Sequence, residues 1–93
     1  MDKVEARKLL AAELDKFKRR SYSELAEMIG TPWTRHLKGA AHFEYQIEIE
    51  VHWDSKPNGN LRVLGAIDDG RLKSAVWPLG DDFIMTPHHT IIS

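Results

Sequence analysis

The chain has 93 residues, of which 42% are hydrophobic and 29% are charged, and its formal net charge is −1. This length suits one domain and is too short for two independent cores. The composition is typical of a globular protein and too apolar for disorder. The near-zero charge gives no electrostatic reason to expect nucleic acid or an anionic membrane as a partner, and the absence of cysteine excludes disulfides and thiolate metal sites.

Two amphipathic helices are predicted at the N-terminus, over residues 2–20 and 22–29. Apolar residues recur every three or four positions in the first helix, at Ala6, Leu10, Leu14 and Phe17. The second helix begins with a capping box, in which Ser21 is the N-cap and Glu24 follows three residues later. Gly30 is a typical residue just beyond a helix end, so the second helix is expected to stop there.

A half-buried strand is predicted over residues 43–53, because apolar residues alternate strictly with polar and mostly acidic ones. The residues 57–59 that follow, Pro-Asn-Gly, favour a three-residue hairpin loop with Gly59 in the left-handed conformation. The resulting register pairs Trp53 with Val63. It keeps the apolar rows of both strands on one face of the sheet.

A second hairpin is predicted at residues 69–70, Asp-Gly, which is a favoured dipeptide for a type I′ turn. This turn pairs Ile67 with Leu72 and begins a third strand over residues 71–79. The predicted fold is therefore α+β, with two N-terminal helices packed on one face of an antiparallel β-meander of three to five strands. The sheet is expected to occupy about residues 43–92, within a single domain of residues 1–93.

The second hairpin predicts an interaction surface on the outer face of the sheet. Its register places Trp77 across from Arg62, among apolar and basic side chains, and an exposed apolar patch with a central aromatic residue is typical of an interface. The candidate interface consists of Arg62, Leu64, Lys73, Ala75, Trp77 and Leu79. We expect it to pair two copies in a homodimer or to bind another protein. The alternative is that residues 83–92 fold back and cover it.

Residues 23–30 resemble the first helix and turn of helix-turn-helix DNA-binding domains, with Ala26 and Gly30 at the small positions. The resemblance implies a recognition helix over residues 31–38. It fails there, because His36 falls at an inward-packing position and Gly39 at one that is usually apolar. The sequence leaves open whether residues 33–38 are helical or extended, and a DNA-binding regulator using residues 23–38 remains the alternative that is not favoured.

No pattern typical of an enzyme, a metal site or a cofactor site is complete. His52 and Asp54 would share the polar face of a strand and could reach one metal ion, but the spacing of a closed four-ligand set is missing. The aspartate pairs at 68–69 and 81–82 lie beside turns, where aspartate commonly makes local backbone hydrogen bonds. We therefore predict no catalytic residues, no metal and no cofactor.

Short segments of the C-terminal half resemble a group of short bacterial proteins of unknown function. The resemblance is carried by YQIEI at 45–49, WD at 53–54, RV at 62–63, IDDG at 67–70, PL at 78–79 and DDFI at 81–84. It implies a bacterial origin and transfers no activity. The N-terminal residues lack the apolar core of a signal peptide and no apolar run approaches membrane-spanning length, so we expect a cytoplasmic protein without a membrane partner.

Overall fold

A computed structural model of the chain describes residues 2–69 and 79–92, apart from the side chain of His42. The elements in chain order are α1 (Lys3–Lys18), α2 (Tyr22–Glu27), β1 (Trp33–Lys38), β2 (Glu44–Trp53), β3 (Leu61–Asp68), β4 (Leu79–Met85) and β5 (Ile91–Ile92), with a 3-10 turn at Ala40–His42. All neighbouring strands are antiparallel, and their order in the sheet is β1-β2-β3-β4-β5. This architecture confirms the predicted α+β class.

Side-chain caps set the starts of both helices. The Oδ1 atom of Asp2 accepts a hydrogen bond from the Glu5 N–H of α1 at 3.1 Å. Ser21 and Glu24 form the predicted capping box, in which each side chain accepts the other's backbone N–H at 3.1 Å. These bonds satisfy N–H groups that have no partner within a helix. Both helices end two residues earlier than predicted, α1 at Lys18 and α2 at Glu27. No helix in the described part of the chain has the length and apolarity needed to cross a bilayer.

The core lies between the two helices and one face of the sheet. Its fully buried side chains are Ala6, Leu10, Leu14 and Phe17 from α1, Leu25 from α2, Tyr45, Ile47, Ile49 and Val51 from β2, Leu61, Val63 and Ile67 from β3, and Phe83 and Met85 from β4. On β2 and β3 these residues occupy every second position, as the alternating pattern predicted. We call this side of the sheet the helix face and the opposite side the outer face.

Gly65 lets α1 approach the centre of the sheet. A Cβ atom at this position would lie 2.9 Å from the Cδ1 of Leu10, 3.1 Å from the Cδ2 of Leu14 and 3.2 Å from the Cδ1 of Ile49. These separations are shorter than normal carbon–carbon contacts. A side chain at residue 65 would therefore push the helix away from the sheet.

The β2–β3 hairpin has the predicted faces but different partners. Val51, and not Trp53, lies opposite Val63, and Trp53 lies opposite Leu61. The predicted pairing is therefore wrong by two residues. Because side chains alternate with a period of two, this displacement leaves every residue on its predicted face.

The loop of this hairpin is also longer than predicted. The Asp54 N–H donates to the Asn60 carbonyl at 2.8 Å and closes the loop. Asn58, with a φ of 66°, takes the left-handed conformation that was expected of Gly59. Asparagine tolerates this region of φ/ψ space better than most residues. Either residue could therefore take the left-handed position of the turn, and in the structure Asn58 takes it.

The tight turn predicted at residues 69–70 is wrong. Ile67 lies opposite Leu79 instead of Leu72, and Val63 lies opposite Phe83. The strand beside β3 is therefore β4, built from residues that the prediction placed at the end of the third strand and in the segment after it. Residues 70–78, which include most of the predicted third strand, lie outside the described part of the chain.

The sheet begins at residue 33, ten residues earlier than expected, because residues 33–38 are extended and form β1. Trp33 lies opposite Ile49 and Leu37 opposite Tyr45. The Trp33 ring packs edge-on against Phe17 of α1, with 5.0 Å between ring centroids. Aromatic pairs favour such T-shaped contacts, and this one joins β1 to the core.

Glu5 ties the β1–β2 connection to α1. Its Oε1 atom accepts a hydrogen bond from the Tyr45 hydroxyl at 2.8 Å, and its Oε2 atom accepts the Ala40 N–H at 2.8 Å. A Cβ atom at Gly39 would collide with the same carboxylate. Burial, together with the hydrogen bond to Glu5, raises the pKa of Tyr45 to about 12, because the phenolate would be both desolvated and repelled.

We predict that Gly65→Val lowers the free energy of unfolding by about 1–3 kcal/mol, the usual cost of overpacking a core. Urea denaturation measures the change. Gly80→Val is the matched control, because Gly80 is exposed on β4 and a Cβ there would meet its nearest atom, the Gly65 carbonyl oxygen, at 3.5 Å. Equal losses for the two variants would contradict the close packing of α1 on the sheet.

We further predict that Tyr45 makes the protein less stable above pH 10. The folded state keeps the hydroxyl proton up to a pKa of about 12, whereas the unfolded chain releases it near pH 10. The stability that this proton confers is complete below pH 10 and is lost as the pH rises from 10 to 12. Denaturation at a series of pH values should show a shallower decline for Tyr45→Phe than for the wild type, and parallel declines would refute the assignment.

Candidate interaction surface

The outer face of the sheet carries no helix in the described part of the chain, since α1 and α2 both pack on the helix face. From β1 to β5 its side chains are Thr34, His36 and Lys38; Glu44, Gln46, Glu48, Glu50 and His52; Arg62, Leu64, Ala66 and Asp68; Asp82 and Ile84; and Ile92. Acidic residues dominate β2, and aliphatic residues lie on β3, β4 and β5. The face is thus divided between a polar half and a partly apolar half.

Four aliphatic side chains lie near one another on the apolar half. Ile84 lies directly opposite Ile92 and diagonally from Leu64, with Ala66 next to Leu64 on the same side of β3. Cross-strand and diagonal neighbours of this kind are close enough for their side chains to touch. We call these four residues the apolar row. Leu64 and Ile92 are 36% and 46% exposed, so the row offers aliphatic surface to solvent.

A charged network crosses the apolar row, because the bonded pair Arg62 and Asp82 lies on the diagonal that intersects the one between Leu64 and Ile84. Arg62 donates from Nε to the Oδ1 of Asp54 at 3.0 Å, its Nη2 lies 2.9 Å from the same oxygen, and its Nη1 bonds Asp82. Asp54 belongs to the loop after β2 and Asp82 to β4, so one guanidinium links both segments to β3. The hydrogen bonds that Arg62 donates to Asp54 and to Asp82 raise the pKa of its guanidinium above the ordinary value. The network contains two carboxylates and one guanidinium, so it carries a single net negative charge.

The polar half is acidic along β2. Glu44, Glu48 and Glu50 project from this strand, and the Oε1 of Glu50 lies 3.9 Å from the Nε2 of His52. Lys38 of β1 lies opposite Glu44. The edge strand β1 therefore carries a basic residue beside β2. The glutamates of β2, which we call the acidic strip, lie between β1 and the apolar row.

An open hollow of about 380 Å³ lies at one end of β1 and β2. It is lined by His36, Leu37, Lys38, Glu44, Tyr45, Gln46 and Asp69. Both signs of charge meet there. The hydroxyl of Tyr45 is already bonded to Glu5, and of the aspartates considered from the sequence only Asp69 reaches the hollow.

Of the predicted interface residues, Arg62 and Leu64 lie on the outer face. Ile84, and not Trp77, lies across from Arg62. Leu79 lies opposite the buried Ile67 and packs against the core. Its placement on the outer face was therefore wrong, because that placement depended on the incorrect turn at residues 69–70. Lys73, Ala75 and Trp77 lie outside the described residues.

Sequence reasoning missed Ile84 and Ile92. Residues 83–85, Phe-Ile-Met, form an apolar run without alternation, so the sequence did not show which side chains face the helices. Only the register with β3 separates the buried Phe83 and Met85 from the outward Ile84. A signal was nevertheless present, because β-branched residues favour strands.

The other polar candidates have structural partners. Asp54 bonds Arg62, and Asp81 accepts the Asp82 N–H at 2.8 Å, which is the local backbone bond expected of an aspartate near a turn. Asp68 and Asp69 also have interaction partners. Among the described residues, no group of three histidine, aspartate or glutamate side chains could hold a metal ion.

The recognition helix of the DNA-binding alternative is not formed, because residues 33–38 are strand β1. Arg35 points to the helix face, where its Nη1 lies 2.9 Å from the Oε1 of Glu13. Lys38 projects from the opposite side of the strand. These two cations of residues 31–38 are therefore on different faces of the sheet and do not form one basic surface.

Comparisons of the chain with protein families, with curated proteins and with solved structures found no match. The resemblance to short bacterial proteins remains a prediction.

Proposed function

We propose that this protein is a non-catalytic protein-interaction module that forms a homodimer through the outer face of its sheet. The observation that carries the proposal is the apolar row, which places aliphatic side chains of three strands, of which Leu64 and Ile92 are exposed, on a face that none of the described helices covers. Contiguous exposed apolar surface is typical of protein interfaces. A cytoplasmic location and a bacterial origin remain predictions that accompany this proposal.

The charges of the molecule favour a second copy as the partner. The chain carries a net charge of −1, so two copies approach without strong repulsion, and near-zero charge promotes self-association. The aspartates of the network that crosses the row, Asp54 and Asp82, are both bonded to Arg62. Apposition of two apolar rows therefore brings together two Arg62 networks in which each aspartate already has a cationic partner, beside Glu48 and Glu50 of β2.

The Arg62 network suits binding better than catalysis. Acid–base chemistry needs a carboxylate or histidine that is free to exchange a proton with a substrate. Asp54 and Asp82 instead hold a guanidinium from two sides. This arrangement fixes the loop after β2 against β4.

We predict that the wild type sediments at twice the monomer mass at high protein concentration and that Leu64→Lys shifts it to the monomer. A lysine there would place a desolvated charge in the apposed surface. Val4→Lys is the matched control, because Val4 is a 65% exposed aliphatic residue of α1. Analytical ultracentrifugation over a range of concentrations measures the masses. A wild type that is monomeric throughout, or a Leu64→Lys variant that dimerises as well as Val4→Lys, would refute the proposal.

A further inference from the structure

Strand β1 lies at the edge of the sheet, with β2 as its neighbour on one side only. Its residues are mostly exposed, and within the described residues no helix packs along its free side. An edge strand leaves a row of N–H and C=O groups available for another strand. The free edge of β1 is therefore a second surface that could bind a protein.

The residues with free backbone groups can be identified from the register. The Gly39 N–H donates to the Phe43 carbonyl at 2.8 Å, which makes this a hydrogen-bonded pair. Hydrogen-bonded and non-hydrogen-bonded pairs alternate along an antiparallel ladder. Thr34, His36 and Lys38 therefore direct their backbone N–H and C=O groups away from β2 and toward the free edge.

The edge is basic. Residues 28–43 contain no aspartate or glutamate, and β1 itself carries Arg35, His36 and Lys38. Arg35 bonds Glu13 on the helix face but keeps 43% of its side chain exposed. Lys38 projects from the outer face of this edge, whereas Arg35 on the helix face already has a carboxylate partner, so an added strand is favoured when it carries acidic residues on its outer face.

Strand β2 shows which pattern of side chains β1 accepts. Apolar residues of β2 lie opposite the helix-face residues of β1, with Ile49 opposite Trp33 and Tyr45 opposite Leu37. On the outer face, Glu44 lies opposite Lys38. The free side of β1 presents these same side chains to a second strand, so the same alternation of apolar and acidic residues fits there.

We propose that the free edge of β1 binds an extended acidic segment of a partner protein by strand addition, in which apolar residues alternate with glutamate or aspartate. Backbone hydrogen bonds hold such a segment, and alternate side chains select it. This edge is distinct from the apolar row, so the inference does not depend on the proposed homodimer.

A second copy of this chain is a poorer occupant of the edge. In the register centred on residue 35, antiparallel pairing of two β1 strands with all helices on one side would place the two Arg35 residues directly opposite each other. Like charges in directly opposite positions destabilise a strand pair. An acidic segment avoids this conflict and compensates the exposed cations.

The test uses a peptide with the sequence of residues 44–51, EYQIEIEV, added to the full chain. We expect amide hydrogen exchange to slow at Thr34, His36 and Lys38. A peptide with lysine in place of its three glutamates should bind at least roughly tenfold more weakly, since the attraction to Lys38 becomes a repulsion. No binding, equal binding of the two peptides, or exchange that slows elsewhere but not at these amides would overturn the proposal.

Two alternately N-methylated versions of the peptide test the hydrogen bonds. A strand pairs through alternate residues on each of its edges, so one version should lose binding and the other should keep it. Retention by both would exclude strand addition.

Protein variants complete the test. Lys38→Glu should weaken binding by roughly five- to tenfold, because one exposed attraction is replaced by a repulsion, whereas Lys56→Glu in the exposed β2–β3 loop should not.

Repeating the titration with Leu64→Lys separates the two proposals, since peptide binding should persist whether or not the apolar row forms a dimer. Slowing of β1 amides with protein concentration alone, without peptide, would show self-pairing and overturn the acidic-segment proposal.

Discussion

The packing of α1 on the centre of the sheet is the contact on which the rest of the structure depends. The stripe of Leu10 and Leu14 lies directly over Gly65, at a separation that leaves no room for a side chain. The apolar side chains of α1 and the helix-face side chains of β2 and β3 must be buried together, because their burial drives folding. Because strand side chains alternate, burying one set commits the other to the opposite face.

The composition of the outer face and the exposure of the β1 edge follow from this packing. Once the helices occupy one side, the acidic strip of β2, the Arg62 network and the apolar row all lie on the other. Among the described residues, β1 has no neighbour on its far side. Within that same part of the chain, the two helices cover one face of the five-stranded sheet and no helix covers the other, which is the physical basis of both proposals.

The local features of the fold could be predicted from the sequence, and the long-range pairings could not. The capping box at Ser21 and the alternation of β2 depend on neighbouring residues alone. The strand partner of Ile67 is different. A tight Asp-Gly turn would pair it with Leu72, whereas it pairs with the more distant Leu79, and the local sequence pattern does not show which of the two pairings is more stable. The candidate site follows the same division. The alternation of β3 was enough to place Leu64 on the outer face, whereas the faces of Ile84 and Leu79 depend on the register between β3 and β4.

The helices bury one face of the sheet, and we propose that the apolar row on the other face binds a second copy. Methyl NMR with a paramagnetic probe dissolved in the solvent tests it directly. We expect the methyl signals of Leu64, Ile84 and Ile92 to broaden in dilute protein and to become protected as the concentration rises, while those of Ile47 and Ile67 stay protected throughout. Broadening of Ile47 equal to that of Ile92, or an apolar row whose accessibility never changes with concentration, would contradict the account.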